Sequence, residues 1–107
     1  MLIAAPLILM LAAGPATDPV GAGRKAFGQC LSSQIQPSLE KKLSLGEFQS
    51  AIKKACADKE AAFRAAVVAD DKSSKMSDAD ANSDADDQVA EYLDKITAEY
   101  EDYNKPG

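Results

Sequence analysis

The N-terminal residues limit what the rest of this chain can fold into. Residues 1–16 read MLIAAPLILMLAAGPA, carry no charged side chain and contain an apolar run over residues 2–13. This run is shorter than the roughly 20 residues of a membrane-spanning helix and is typical of the apolar core of a signal peptide. The small residues Gly14 and Ala16 favour cleavage after Ala16. We therefore expect residues 1–16 to be a signal peptide that is removed on export to the periplasm or the medium.

Two alternatives to cleavage stay open: an N-terminal helix packed in the core, and an uncleaved membrane anchor. Pro6 interrupts the run, which disfavours a buried core helix. Nothing after Ala16 extends the run toward spanning length, which disfavours an anchor. The expectation is a mature protein that has no membrane association after cleavage.

The residues after Ala16 are enough for one small domain, expected over residues 17–104, with 105–107 as a tail. Large apolar side chains are few and alanine fills much of the remainder, so the core should be shallow. The whole formal charge of −5 lies in this part of the chain. A domain of this size is one in which a covalent crosslink contributes strongly to stability.

Charge is unevenly distributed along the chain. Residues 18–75 carry ten Lys/Arg and seven Asp/Glu, whereas residues 76–107 carry two Lys and ten Asp/Glu. The acidic half is either a solvated face or a surface that attracts basic proteins or cations. The negative total, and a basic half without interleaved aromatic residues, argue against nucleic-acid binding.

Apolar residues recur at helical spacing in three segments, at about 20–36, 44–70 and 77–103, and no segment shows sustained strand alternation. Pro37 is expected to end or kink the first helix. The predicted fold is therefore all-α: an antiparallel helical hairpin plus a third amphipathic helix.

The second helix has the clearest N-terminal signal. Ser44 and Glu47 have the spacing of a capping box, and Leu43 and Phe48 have that of a hydrophobic staple. Ser77 gives a weaker cap signal for the third helix, whose first turns are rich in acidic residues that the helix dipole favours.

The two cysteines, Cys30 and Cys56, each lie on the apolar face of a predicted helix. An antiparallel pair of helices with a turn between residues 37 and 44 brings them together if residues 39–43 are partly helical or the helices are staggered. In an oxidising compartment the expected product is a disulfide. The absence of CxxC spacing argues against a redox site, and the absence of histidine argues against structural zinc.

The acidic run of the third helix resembles a calcium-binding EF-hand loop in spacing. Asp80, Asn82, Asp84 and Glu91 match loop positions one, three, five and twelve. Ala85, however, stands where the loop needs glycine for its sharp turn. We expect these residues to open the third helix, and keep a low-affinity calcium or cation site as the alternative.

The supply of catalytic residues is poor. With no histidine, the chain has no Ser-His or Cys-His pair, and both cysteines are expected to be bonded to each other. No glycine-rich phosphate loop and no haem-attachment motif is present. The chain is therefore expected not to be an enzyme and to need no cofactor.

With its signal-like N-terminus, the Cys30/Cys56 pair and an acidic third helix, the chain loosely resembles small exported two-cysteine helical proteins of Gram-negative bacteria. The resemblance is one of layout, and it implies a periplasmic location without implying an activity. Two functions follow as hypotheses. One is an inhibitor- or chaperone-like interaction protein whose acidic helix meets a basic envelope protein. The other is a cation-binding protein that uses the Asp-rich segment 78–91.

Overall fold

The computed structural model describes residues 18–105, and these residues form five helices and no strand. The helices are α1 (Pro19–Ser33), α2 (Ile35–Glu40), α3 (Leu45–Ala55), α4 (Ala57–Ser73) and α5 (Asp78–Asn104). The all-α prediction is confirmed. The expected signal peptide lies outside the described residues, as does the end of the expected tail.

The first predicted helix is interrupted before Pro37 and continues beyond it. α1 ends at Ser33, and α2 runs from Ile35 to Glu40 with Pro37 in its first turn. Proline has no N–H to bond the carbonyl four residues earlier, and its ring clashes with that carbonyl. In the first turn of a new helix this N–H needs no partner, so the chain restarts the helix around the proline. The expectation that residues 39–43 are partly helical is confirmed as far as Glu40.

The second predicted helix, expected as one piece over 44–70, is two helices that meet at Cys56. The prediction of a single helix is wrong there, although the N–H of Cys56 still bonds the carbonyl of Ile52 at 2.9 Å. The local sequence has no glycine or proline to signal the break. α4 also continues to Ser73, one turn beyond the expected end.

The predicted helix starts are confirmed. The backbone N–H of Glu47 donates to the Ser44 hydroxyl at 3.2 Å, and the Ser44 N–H donates to the Glu47 carboxylate at 2.8 Å. The Ser77 hydroxyl accepts from the N–H of Asp80 at 3.1 Å. Both caps satisfy backbone donors that the first turn of a helix leaves without partners.

α4 is the central helix, and both α1 and α5 pack extensively on it. Phe27 of α1, Phe63 of α4 and Tyr92 of α5 meet with ring centroids 5.8–6.1 Å apart. Gly23 allows the close approach of α1, because a Cβ there would lie 3.1 Å from the Cα of Phe63. The rest of α5 packs on α3, where the Phe48 and Tyr100 rings stack 4.0 Å apart.

The disulfide predicted between Cys30 and Cys56 is present, with the sulfurs 2.04 Å and the Cα atoms 5.8 Å apart. It joins the last turns of α1 to the α3/α4 junction. The antiparallel hairpin is therefore closed by a covalent bond.

Tyr100 ties α5 to the turn that joins α2 to α3. Its side chain is fully buried, and its hydroxyl lies 2.7 Å from the Leu43 carbonyl and 3.2 Å from the Ser38 carbonyl. Since one hydroxyl donates one hydrogen bond at a time, the shorter contact is the main one. The C-terminal part of α5 is thus held in place by a polar contact as well as by packing.

We expect Tyr100→Phe to lower the free energy of unfolding by about 1 kcal/mol, because it leaves the part-buried Leu43 carbonyl without its donor while it keeps the ring. Urea denaturation followed by circular dichroism measures the change. Tyr103→Phe is the matched control, since Tyr103 is 62% exposed and should change stability little. Equal stabilities for the two variants would contradict the assignment of the hydrogen bond.

Candidate functional site

The outer face of α5 carries a row of carboxylates, which we call the acidic stripe: Asp80, Asp87, Glu91, Asp94 and Glu101. At 3.6 residues per turn these positions lie on one side of the helix. All of them are exposed, whereas Ala81, Ala85, Val89, Ile96 and Tyr100 on the opposite side are buried. From Asp80 to Glu101 the stripe is about 30 Å long at the rise of an α-helix.

None of the stripe residues forms an ion pair within residues 18–105. The carboxylates of α5 that do so lie beside the stripe or at its ends: Asp78 pairs with Lys72 at 2.9 Å, Asp86 pairs with Arg64, and Asp102 contacts Lys105 at 3.5 Å. The acidic charge of the stripe is therefore left for solvent or for a partner to neutralise.

The structure does not bring the candidate calcium ligands together. Asp80, Asn82, Asp84 and Glu91 all lie within the continuous helix α5, as the helical interpretation predicted. From Asp80 to Glu91 the axial rise is about 16 Å, several times the reach of one ion's coordination shell. The amide of Asn82 instead donates to the carbonyl of Asp78 at 2.8 Å. Among residues 18–105 no three His, Cys, Asp or Glu side chains are grouped in a way that suits a metal ion.

Arg64 links the central helix to α5. Its guanidinium donates to the Glu60 carboxylate at 3.0 Å within α4 and to Asp86 across to α5. The hydrogen bond to Asp86 is the main cause that raises the pKa of Arg64, with Glu60 adding to it and burial opposing it. Arg64 is partly exposed, so this bridge orients α5 more than it stabilises the fold.

Asp71 and Asp84 form a carboxyl pair at the same helix–helix contact. Oδ2 of Asp71 is buried and has no hydrogen-bond partner among the described residues, while Asp84 accepts from the Gln88 amide at 3.2 Å. Two ionised carboxylates cannot hydrogen-bond each other, so the hydrogen bond between Asp71 and Asp84 forms only when one of them holds a proton. This hydrogen bond is the first cause that raises the pKa of Asp71 from its ordinary 3.8, with burial and repulsion from Asp84 and Asp70 adding to it. Asp71 falls between the second and third helices predicted from the sequence, which gives no sign of this pair.

A groove of about 700 Å³ lies between α1 and α5, which pack against each other much less than each packs against α4. Its lining is mostly apolar, and Arg24, Lys25 and Lys95 supply positive charge around it. This groove could not be predicted from the sequence, because it depends on the distance between two helices that are far apart in the chain. A basic residue pair at Arg24 and Lys25 was the only local signal for it.

The chain was compared with protein-family models, with curated proteins and with solved structures, and none matches it. Residues 18–105 contain no helix that is both long enough and apolar enough to span a bilayer.

Because of the Asp71–Asp84 pair, we expect Asp71→Asn to raise the melting temperature by an amount that depends on pH. At pH values between the ordinary and the raised pKa of Asp71, the folded state binds more protons than the unfolded state. The contribution of the pair to stability is therefore lost as the pH rises through the raised pKa. An asparagine donates to Asp84 without a proton from solvent. We therefore expect the variant to have a higher melting temperature than wild type at pH 7, and an equal one at pH values below 3.8.

Asp87→Asn is the control for this measurement, because it removes one exposed charge from α5 without touching the pair. A melting-temperature gain of Asp71→Asn that exceeds the control's at pH 7 and vanishes in acid supports the pair. A gain independent of pH would contradict it.

Proposed function

We propose that this protein is an exported, non-enzymatic helical binding protein whose acidic stripe engages a basic partner protein. The observation that carries the proposal is the stripe itself: five exposed carboxylates, aligned on one face of α5 and free of intramolecular ion pairs within the described residues. A basic surface that meets this face neutralises charges that repel one another in the free protein.

The way α5 is held supports the proposal. The buried alanines and Val89 pack on α4, the Arg64–Asp86 bridge orients the N-terminal half, and Tyr100 fixes the C-terminal half. The carboxylates are thus presented at a fixed spacing before any partner arrives. A pre-ordered surface spends less of its interaction free energy on ordering than a flexible acidic tail does.

The disulfide supports export. Disulfides persist in oxidising compartments and are rare in the cytosol, and this one joins the only two cysteines of the chain. Together with the signal-like residues 1–16, it favours the periplasm or the medium as the place where the protein acts. In Gram-negative bacteria the partner is then a basic protein of the envelope.

The same chemistry favours binding over catalysis. The chain has no histidine, and both cysteine sulfurs are bonded to each other. The carboxylates of α5 face solvent, where general acid–base groups lack the enclosed surroundings that tune them.

We expect the triple variant Asp87→Asn, Glu91→Gln, Asp94→Asn to lose most of its capture of basic envelope proteins at low salt. These three carboxylates form the middle of the stripe, and their removal takes away charge without altering the buried face. Capture by the immobilised oxidised protein, followed by elution with increasing salt, measures the effect. A salt-dependent reduction of about tenfold or more in captured basic protein is the expected result.

The matched control is the triple variant Glu40→Gln, Asp58→Asn, Asp70→Asn, which changes the net charge equally at exposed positions outside α5. If both triple variants lose capture to the same extent, net charge and not the stripe is responsible. If wild type captures no basic protein at low salt, the proposed function is wrong.

Export predicts the mass of the protein in its native compartment. We expect a chain that begins at Thr17 and that is lighter by two hydrogen atoms than the sum of its reduced residues, because of the disulfide. Intact-mass spectrometry before and after reduction measures both. A retained N-terminus, or two thiols that react without reduction, would contradict export and the oxidised state respectively.

A further inference from the structure

Gly28 is a glycine inside α1 that the packing of the protein does not require. Glycine destabilises the interior of a helix relative to alanine, so a glycine there calls for a structural explanation. At Gly21 a Cβ would lie 2.2 Å from the Asp18 carboxylate, and at Gly23 it would lie 3.1 Å from Phe63, so the packing explains both glycines. A Cβ at Gly28 would meet nothing within 4 Å. The space next to Gly28 is the groove between α1 and α5.

The groove offers an apolar surface flanked by basic side chains. Tyr92 and Ile96 of α5 and Leu31 of α1 line it together with Gly28. A second depression of about 310 Å³, lined by Ile35, Leu39 and Tyr103 among others, adjoins it between α2 and α5. Both depressions share Ser32 and Glu99, so together they form one elongated path along α5.

The cations of the groove have no carboxylate partner among the described residues. Lys25 and Lys95 are exposed and form no ion pair. The Arg24 guanidinium donates to the Gln88 side-chain oxygen at 3.2 Å and lies 5.8 Å from the Phe63 ring centroid. Glu99, the one carboxylate of the lining, lies one helical turn beyond Lys95, where the two depressions join. In a protein of net charge −5, this is a local concentration of positive charge beside an apolar surface.

We propose that the groove binds a single-chain amphiphilic anion of the fatty-acid type. The carboxylate lies between Arg24, Lys25 and Lys95, and the alkyl chain passes Gly28 and continues toward Ile35 and Tyr103. The volume falls in the range of small-molecule sites, which are mostly apolar with a few placed polar groups. The length of the path favours a chain over a compact ligand, and the missing side chain at Gly28 lets the alkyl chain approach the backbone of α1.

The test is titration of the full oxidised protein with sodium dodecanoate below its micelle concentration, followed by calorimetry and by tyrosine fluorescence, since Tyr92 lines the groove. We expect saturable one-to-one binding. Dodecyl maltoside, which has the same chain and no charge, should bind at least tenfold more weakly, and butanoate, which has the head group alone, should not bind measurably. Non-saturable uptake, or equal affinity for the charged and uncharged amphiphiles, would overturn the proposal.

Gly28→Leu tests the position of the alkyl chain. The substitution improves helix propensity and has room in the folded protein, so the variant should fold, and its side chain should fill the groove. We expect at least a tenfold loss of dodecanoate affinity. Gly46→Leu is the matched control, since Gly46 also has open space around it but lies in α3, away from the groove. Unchanged affinity in Gly28→Leu would overturn the proposal.

The head-group contact is tested by Lys25→Gln combined with Lys95→Gln, with Lys53→Gln combined with Lys54→Gln as the control of equal charge on α3. We expect about a tenfold loss for dodecanoate in the first pair and none for dodecyl maltoside. Sedimentation equilibrium of the wild type tests whether a second copy of the chain occupies the groove instead of a ligand. A dimer that Gly28→Leu dissociates would show that a second copy fills the groove, and would overturn the proposal.

Discussion

The disulfide between Cys30 and Cys56 is the constraint on which the rest of the structure depends. It fixes the end of α1 to the point where α3 gives way to α4, and so fixes how α1 lies along the central helix. For two cysteines 26 positions apart, the chain-entropy model gives a stabilisation of about 3.5 kcal/mol. Domains of this kind are stable by only about 5–15 kcal/mol, so a single bond supplies a large share.

The two functional surfaces use this scaffold in different ways. The acidic stripe needs only α5, held straight against α4 and anchored by Tyr100. The groove needs α1 and α5 together, since each contributes one wall and some of the cations. Because the disulfide sets the position of α1, it affects the groove directly and the stripe only through overall stability. One small protein can thus present an acidic face to a basic partner and a basic, apolar groove to an amphiphile.

Features that depend on neighbouring residues were predictable from the sequence. The capping box at Ser44 and Glu47, the inward stripe of α5 and the pairing of the two cysteines all follow from spacing within one or two helices. The acidic stripe lies on the side of α5 opposite its buried apolar residues, so it follows from the same spacing. Each of these features depends on local spacing, which the packing of the helices does not change.

Features that depend on helices distant in sequence, or on unusual residues, were not predictable. The turns after α2 and α4 place Lys42 and Lys75 in left-handed conformations, at φ 55° and 72°, where glycine or asparagine is the usual signal. The helix break at Cys56 has no glycine or proline to announce it. The Asp71–Asp84 pair and the groove exist only because α4, α5 and α1 lie side by side.

The claim that the disulfide holds this scaffold together is tested most directly by urea denaturation of the wild-type protein with and without a reductant. We expect reduction to lower the free energy of unfolding by about 3–4 kcal/mol, and a Cys30→Ala, Cys56→Ala variant to be insensitive to the reductant. Reduced and oxidised wild-type proteins of equal stability would contradict it.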